Sequence, residues 1–278
     1  MQNNLVGVDI GGTSITAGLI VDGEVVNTAN VETEAFETKE KILENLYKAI
    51  ESVITKNTVG IGIGVPGIVD SEKGIIYDLA NIPSWKEVHI KKLVEAKFGI
   101  TTQVGNDANC FALGVKHFGV GCNYSNIVGL TLGTGLGAGI IIDNKLYAGS
   151  EGGAGEFGLI PYLDSNIEAY CSGKFFKCIK EVPGKEVYER AMNGDHTAIE
   201  IWGEYGKHLG QLVNIVTYTL SPELVVFGGS VAKGYAFFID SLKEQLKDNI
   251  LTKVVAKLEI AEMLNEFSAI YGAGALCK

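Results

Sequence analysis

The first third of the chain alternates apolar runs with short polar or glycine-rich breaks. Leu5–Ile10 is apolar apart from Asp9, and after Gly11-Gly12-Thr13 a second apolar run ends at Val21. Short apolar runs bounded by turn residues predict strands. Asp22-Gly23 is a strong hairpin signal, so we expect the chain to return as a third strand over Glu24–Ala29. These segments together predict a three-stranded meander.

Helical periodicity begins after the meander. Apolar residues recur at helical spacing between Lys39 and Lys56, and Thr38 before them predicts an N-cap. The other predicted elements are strands over Val59–Val65, Thr101–Val104, Asn126–Leu132, Ala138–Ile142 and Leu224–Phe227, and helices over Ile90–Phe98, Asn106–His117, Thr197–Leu220 and from Leu242. The mixture predicts an α/β fold, closed by the apolar run Phe267–Leu276.

The second half repeats the opening theme of strand, glycine turn and strand. We therefore predict two similar α/β domains, residues 1–115 joined by the carboxy-terminal segment 266–278, and residues 116–265. The length of 278 residues agrees, because a typical domain has roughly 150.

Composition narrows the class of protein. Hydrophobic residues make up 46% and charged residues 20%, which is typical of a globular protein. The net charge of −10 argues against a nucleic-acid or membrane partner. Residues 125–142 are uncharged, but five glycines interrupt them and predict a hairpin instead of a membrane helix. The amino terminus lacks signal-peptide form, and five cysteines without CxxC spacing suit reduced thiols, so we expect a cytoplasmic protein.

The glycine turns exclude two common nucleotide motifs. No Walker pattern is present, and no basic residue precedes Lys39, so the turn at Gly11–Thr13 has no P-loop lysine. Gly133-x-Gly135-x-x-Ala138 matches a loose dinucleotide fingerprint, but a strand is predicted where that fingerprint needs a helix. A nicotinamide cofactor is therefore not expected.

What remains is a set of glycine turns after strands, with Asp9 at the end of the first. Backbone N–H groups at such turns can cradle phosphate, while a carboxylate holds Mg²⁺ through water. Taken singly, each turn is more typical of a simple hairpin with glycine at positive φ than of a phosphate site. Three turns together with Asp9 favour a nucleotide triphosphate bound between two lobes.

The order of six short motifs resembles the ROK family of sugar kinases and sugar-responsive repressors. The motifs are Asp9-Ile-Gly-Gly-Thr13, Gly64-Val-Pro-Gly67, Asn106-Asp107, Leu132-Gly-Thr-Gly135, Gly155-Glu-Phe-Gly158 and Phe227-Gly-Gly-Ser230. The resemblance covers essentially the whole chain. It implies a two-domain actin-like ATPase fold of the ribonuclease-H-like type, with ATP and a hexose in an interdomain active-site cleft, and a homodimer. The repressor branch carries an amino-terminal helix-turn-helix domain, which we do not expect here.

The same resemblance implies roles for particular residues. Asp107 is the expected catalytic base, although an Asn-Asp pair at a helix start is by itself more typical of an N-cap. Asp9 is expected to hold Mg²⁺ through water. The residues expected to bind the sugar are Gly67, Asn81, Asn106, Glu156 and Glu168. The residues expected to bind ATP are Gly11, Gly12, Thr13, Gly133, Thr134, Gly135, Gly228 and Gly229, the last two against the adenosine.

One departure from the family pattern concerns zinc. The family motif continues with a zinc-binding histidine and a cysteine-rich loop, whereas here Leu159 follows Gly158 and only Ile160–Asn166 precede Ile167-Glu168. We therefore predict no structural zinc. We expect the shortened loop to be held by apolar packing of Phe157, Leu159, Ile160 and Tyr162.

The leading hypothesis is an ATP- and Mg²⁺-dependent kinase that phosphorylates the 6-hydroxyl of a hexose, glucose or a related N-acetylhexosamine such as N-acetylmannosamine. The alternative is a non-catalytic ROK-type sugar-binding regulator without a DNA-binding domain. A sugar hydrolase using Glu156 and Glu168 is more remote, because it leaves the phosphate turns unexplained.

Overall fold

The amino-terminal apolar runs form the predicted meander, which belongs to a five-stranded sheet. The computed structural model describes residues 4–79, 81–263, 265 and 267–278. The first elements are β1 (Asn4–Ile10), β2 (Ser14–Val21), β3 (Glu24–Glu32), α1 (Lys39–Glu51), β4 (Thr58–Val65), β5 (Ile68–Asp70), β6 (Ile75–Tyr77), β7 (Glu87–Val88), α2 (Ile90–Phe98), β8 (Thr102–Asn106) and α3 (Asp107–Phe118).

The sheet order is β3–β2–β1–β4–β8. β1 pairs antiparallel with β2, whereas β1 with β4 and β4 with β8 are parallel pairs. Parallel neighbours end at the same edge of a sheet, so the residues after β1, β4 and β8 lie along one edge. A further small sheet, β5–β6–β7, was not predicted from the pattern.

Helix α1 begins where the sequence predicts and ends earlier. The hydroxyl of Thr38 accepts from the backbone N–H of Lys41, which confirms the predicted N-cap. The predicted end at Lys56 is wrong, because the helix ends at Glu51 and Ser52 caps it. Its buried face contributes Ile42, Leu46 and Ile50 to the core.

The second group of elements repeats the arrangement of the first. Its elements are β9 (Ile127–Leu132), β10 (Leu136–Ile142), β11 (Lys145–Leu146), β12 (Pro161–Tyr162), β13 (Ser165–Asn166), α4 (Ile167–Cys171), α5 (Gly184–Met192), α6 (His196–Leu220), β14 (Leu224–Gly228), α7 (Tyr235–Leu246), α8 (Thr252–Val255) and β15 (Glu259–Glu262). The sheet order is β11–β10–β9–β14–β15, with β9 and β10 antiparallel and the pairs β9–β14 and β14–β15 parallel. The uncharged stretch is thus a hairpin, as predicted.

The last helix, Ser268–Ala275, packs on β1 and β4 of the first sheet. A Cβ at Gly7 would stand 2.0 Å from the carbonyl oxygen of Ile270, and one at Gly62 would stand 1.7 Å from that of Ala273. Only glycine allows this close approach. The chain divides into two units: Met1–Asn123, Leu146–Ala154 and Asn265–Lys278 form the first, and Tyr124–Lys145 and Gly155–Leu264 form the second.

Among the described residues, no helix has both the length and the apolar character needed to cross a membrane.

Candidate functional site

The first unit gathers predicted site residues at the carboxyl edge of its parallel strands. Asp9 is the penultimate residue of β1, and Asn106 ends β8. Gly67 follows β4 and has φ of +100°, a backbone conformation that favours glycine. The side-chain amide of Asn106 donates to the carbonyl of Gly67 at 3.1 Å, so two of these residues are in direct contact.

Asn106 and Asp107 divide two tasks at the start of α3. The side-chain oxygen of Asn106 accepts from the backbone N–H groups of Ala108 and Asn109, so Asn106 is the N-cap. Asp107 is the first helical residue and is exposed; its Oδ1 also accepts from the N–H of Ala108, at 2.8 Å. Asn106 is therefore the N-cap, and Asp107 adds a carboxylate in the first turn, where it accepts from Ala108 and its negative charge is favoured by the helix dipole.

The turn at Gly11–Thr13 lies beside Asn81. A Cβ at Gly12 would stand 3.0 Å from Cβ of Asn81. The turn is closed by the N–H of Gly11, which donates to the carbonyl of Ser14, and is held by Thr33, whose hydroxyl donates to the carbonyl of Gly11 at 2.7 Å. Thr33 is fully buried and was missed by sequence reasoning, because nothing in its spacing distinguishes it.

Asp9 is an electrostatically unusual carboxylate. Burial, and secondarily the negative charge of Asp107, raises its pKa from 3.8 to about 6. A desolvated carboxylate near a second one at a sheet edge fits Mg²⁺, which prefers oxygen ligands and commonly takes only one or two carboxylates besides water and phosphate. The residues present therefore fit the predicted ion.

The second unit builds its own turn from Gly133, Thr134 and Gly135 between β9 and β10. The N–H of Gly133 donates to the carbonyl of Gly135 at 3.0 Å. A dinucleotide fingerprint requires a helix after its glycine turn. Strand β10 follows the turn here, so the fingerprint is not met. Gly229, after β14, has φ of +88°, and a Cβ there would stand 2.4 Å from the carbonyl oxygen of Leu132. The predicted phosphate turn and the predicted adenosine turn are thus adjacent.

Glu168 lies against the same turn. Its Oε2 accepts from the backbone N–H of Leu136 at 3.0 Å, and its Oε1 accepts from the ammonium of Lys174 at 2.5 Å. Burial raises the pKa of Glu168, but the hydrogen bonds from Lys174 and Leu136 outweigh it and hold the pKa below its ordinary value. Each oxygen of this predicted sugar ligand already accepts one hydrogen bond and retains a second lone pair.

The loop that holds Glu156 is packed differently from the prediction. Glu156 is exposed at the start of a helical turn, Phe157–Leu159, and Phe157 is buried. The prediction that Leu159 packs in the loop is wrong, because Leu159 is 67% exposed. The residue before it, Gly158, is buried, and a Cβ at that position would stand 3.3 Å from Cβ of Glu168.

Polar and aromatic contacts secure the shortened loop. The hydroxyl of Tyr162 pairs with Nδ1 of His208 at 3.0 Å, and the hydroxyl of Tyr170 donates to Asp164. The rings of Tyr162, Tyr170 and His208 are in mutual contact. Burial lowers the pKa of His208, which keeps the imidazole neutral and able to pair with Tyr162 near pH 7.

Cysteine positions bear on metal binding. Cys171 is buried and Cys178 is exposed, in a π-helical turn, Phe175–Ile179. Over the part of the chain that the structure describes, no group of three or more His, Cys, Asp or Glu side chains could hold a metal ion. Absence of structural zinc stays a prediction for direct metal analysis.

A cavity of about 900 Å³ opens beside the second turn. Its wall includes Gly133 and Thr134 of the turn, Ser230 after the adenosine turn, and the aromatic residue Trp202. Four lysines also line it: Lys174, Lys177, Lys185 and Lys233. Sequence reasoning missed Trp202 and the four lysines, because α5, α6 and the segments 173–185 and 230–234 supply them and no local motif links them.

Known proteins resemble this chain over nearly its whole length. The sequence model of the ROK family matches residues 5–278 of this chain. A glucokinase of Thermotoga maritima is 28% identical over 99% of this chain and 97% of its own length. A xylose repressor of Caldicellulosiruptor bescii is 29% identical over 87% of this chain and 69% of the repressor.

Solved structures agree with this assignment. The ROK family glucokinase from Streptomyces griseus, in complex with glucose and AMPPNP, superposes with a TM-score of 0.78 and 26% identity and covers 99% of both chains. The fold is the two-domain actin-like ATPase fold that the motifs predict. With the family model spanning both units and all six motifs, the chain belongs to the ROK family.

Proposed function

We propose that the chain is an ATP-dependent sugar kinase that transfers the γ-phosphoryl group to the 6-hydroxyl of a hexose, glucose or an N-acetylhexosamine such as N-acetylmannosamine. The observation that carries the proposal is the division of labour at the start of α3. Asn106 caps the helix and is anchored on Gly67, while Asp107 presents an exposed carboxylate at the sheet edge beside Asp9.

Asp107 acts as the general base in this proposal. Phosphoryl transfer to a hydroxyl needs an acceptor for the proton of the attacking oxygen, and a carboxylate at a helix start is rigidly placed to take it. Asn106 orients a neighbouring hydroxyl. The other proposed sugar ligands are Gly67, Asn81, Glu156 and Glu168.

The nucleotide occupies the turns and the cavity in this proposal. The phosphates bind backbone N–H groups of Gly11, Gly12 and Thr13 and of Gly133, Thr134 and Gly135, and the adenosine lies against Gly228 and Gly229. A cavity of about 900 Å³ with aromatic and basic walls has the size and chemistry for a nucleotide. Asp9 is proposed to hold Mg²⁺ through water, and the ion supplies neutralisation of phosphate charge when bound.

A second candidate is the non-catalytic sugar-binding regulator, which the resemblance to xylose repressors favours. A regulator that only senses sugar has no need of a base or of Mg²⁺. The glucokinase relatives and the presence of both Asp9 and Asp107 support the enzyme. Cytoplasmic location remains a prediction from the sequence pattern, and homodimerisation remains one from the family resemblance.

A coupled ADP-release assay separates the two candidates. The full chain is incubated with ATP, Mg²⁺ and, in turn, glucose, mannose, fructose, N-acetylglucosamine and N-acetylmannosamine. The kinase proposal predicts sugar-dependent ADP release with at least one of them, and its loss in Asp107→Asn. Sugar binding by calorimetry without ADP release for any of these sugars would favour the regulator instead.

A further inference from the structure

The cavity of the second unit has a charge opposite to that of the protein. Four lysines and two glutamates line it, whereas the whole chain carries a net charge of −10. A positively charged cavity on an acidic protein is suited to an anionic ligand, because the local field determines what the cavity attracts.

Lys174 is a cavity lysine whose neighbouring residue contacts the phosphate turn directly. The N–H of its neighbour Gly173 donates to the carbonyl of Gly133 at 2.8 Å, and a Cβ at Gly173 would stand 2.9 Å from that oxygen. The Lys174 ammonium pairs with Glu168, whose other oxygen binds the N–H of Leu136 at the end of the turn. Backbone and side chain therefore both tie Lys174 to the turn.

The ion pair with Glu168 orders the Lys174 side chain before a ligand binds. An ammonium has three donors, and the carboxylate uses one of them. Although the side chain of Lys174 is 46% exposed, the pair restricts its position and so reduces the rotamer entropy lost when a ligand binds. Lys185, by comparison, is 86% exposed and pairs with Glu189 at 3.7 Å on its own helix, away from such a constraint.

We propose that Lys174 binds the β- or γ-phosphate of the nucleotide and supplies the cation that the glycine turn itself lacks. The inference rests on the proposed function, because it takes a nucleoside polyphosphate as the ligand of the cavity. Lys174 then recognises polyphosphate, and the rest of the cavity recognises the nucleoside. Glu168 is the positioning residue that holds the ammonium against the turn.

The test measures binding by calorimetry on the full chain, with ATP, ADP and adenosine as separate ligands. Lys174→Met is expected to weaken ATP and ADP binding about 10- to 100-fold, which is typical of the loss of a charge-assisted hydrogen bond. Adenosine affinity is expected to change less than about twofold, and Lys174→Arg to recover most of the ATP affinity. Lys185→Met is the matched control, which removes the same charge from the same cavity and should cost ATP less than about threefold.

If the wild-type chain binds ATP, any of three results would overturn the inference alone. Unchanged ATP affinity in Lys174→Met would remove the contact. An equal loss for adenosine and ATP would mean that the substitution merely disturbs the cavity, and an equal loss in Lys185→Met would mean that the field is diffuse. If the wild-type chain binds none of the three ligands, the proposed kinase function falls together with the inference, which distinguishes that failure from the others.

Discussion

Replacing Asp9 by asparagine should change how the stability of the protein depends on pH. Asp9 is held in a half-buried position with Asp107 nearby, and its pKa is raised from 3.8 to about 6. Because the folded state holds this proton more tightly than the unfolded state, Asp9 stabilises the fold most at low pH. That stability is lost as the pH rises through about 6, when the buried carboxylate ionises. The amide of the Asp9→Asn variant has no such proton to lose.

The size of the effect follows from the two pKa values. One pKa unit corresponds to about 1.4 kcal/mol, so the full difference between 3.8 and about 6 is worth about 3 kcal/mol. Between pH 4.5 and 7.5 the folded state binds more protons than the unfolded state. Integrated over this range, the difference in bound protons amounts to roughly two thirds of the full free-energy difference, about 2 kcal/mol. The free energy of unfolding of Asp9→Asn, relative to wild type, should therefore rise by about 2 kcal/mol across this range.

The assay is urea unfolding followed by circular dichroism at pH 4.5 and 7.5, without divalent cations. Comparison of the two pH values cancels any constant cost of the amide, such as a lost hydrogen bond. Asp248→Asn, at an exposed site, is the matched control and should show no such change. If the difference in unfolding free energy between Asp9→Asn and wild type stays constant or falls with pH, Asp9 is not a desolvated carboxylate with a raised pKa.

Three further predictions concern the base, the adenosine turn and zinc. Asp107→Asn should lower kcat by about 10²–10⁴-fold with a smaller change in sugar affinity, since it removes a positioned base; turnover within a few-fold of wild type would exclude it from the mechanism. Gly229→Ala should lower the melting temperature more than Gly23→Ala, because both have φ near +90° but only position 229 meets a backbone oxygen, that of Leu132, at 2.4 Å, while nothing lies within 4 Å of position 23. Equal losses would remove the steric argument. Metal analysis should find less than one zinc per chain, and EDTA should abolish activity only until Mg²⁺ alone is returned; a melting temperature that collapses in chelator would contradict this.

Local patterns predicted most of the sheet-forming segments. Asp22-Gly23, with Asp22 at φ of +51° and Gly23 at +90°, makes the hairpin turn that such pairs favour, and the Asp143-Asn144 turn has the same left-handed geometry. These signals depend on neighbouring residues only, so sequence reasoning can find them. The pairing of β2 with β3 and that of β10 with β11 follow directly from them.

Segments whose burial depends on distant residues were harder to predict. The predicted helix start at Leu242 is wrong, because α7 begins at Tyr235; its buried residues Phe238, Leu242 and Leu246 follow helical spacing, but the preceding glycines obscure the start. β3 continues to Glu32, three residues beyond the prediction, because its pairing with β2 extends to Ser14. For β3, pairing with the neighbouring strand decides the boundary.

The residues of the candidate site also fall into those that the sequence could identify and those that it could not. Motif residues such as Asn106 and Gly133 could be named because their order along the chain resembles a family. The Glu168–Lys174 pair and Thr33 could not, since only the folded backbone brings them to the turns. The exposure of Leu159 shows the converse, because an apolar residue in a short loop was expected inside and lies outside.

The most direct test of phosphoryl transfer to a hexose is ³¹P NMR of the reaction of the full chain with ATP, Mg²⁺ and whichever of the five sugars supports ADP release. The account predicts a phosphomonoester resonance of the sugar 6-phosphate that grows in step with ADP, and none when the 6-deoxy form of that sugar is supplied. ADP formed with inorganic phosphate alone, or a phosphomonoester that still forms on the 6-deoxy sugar, would contradict it.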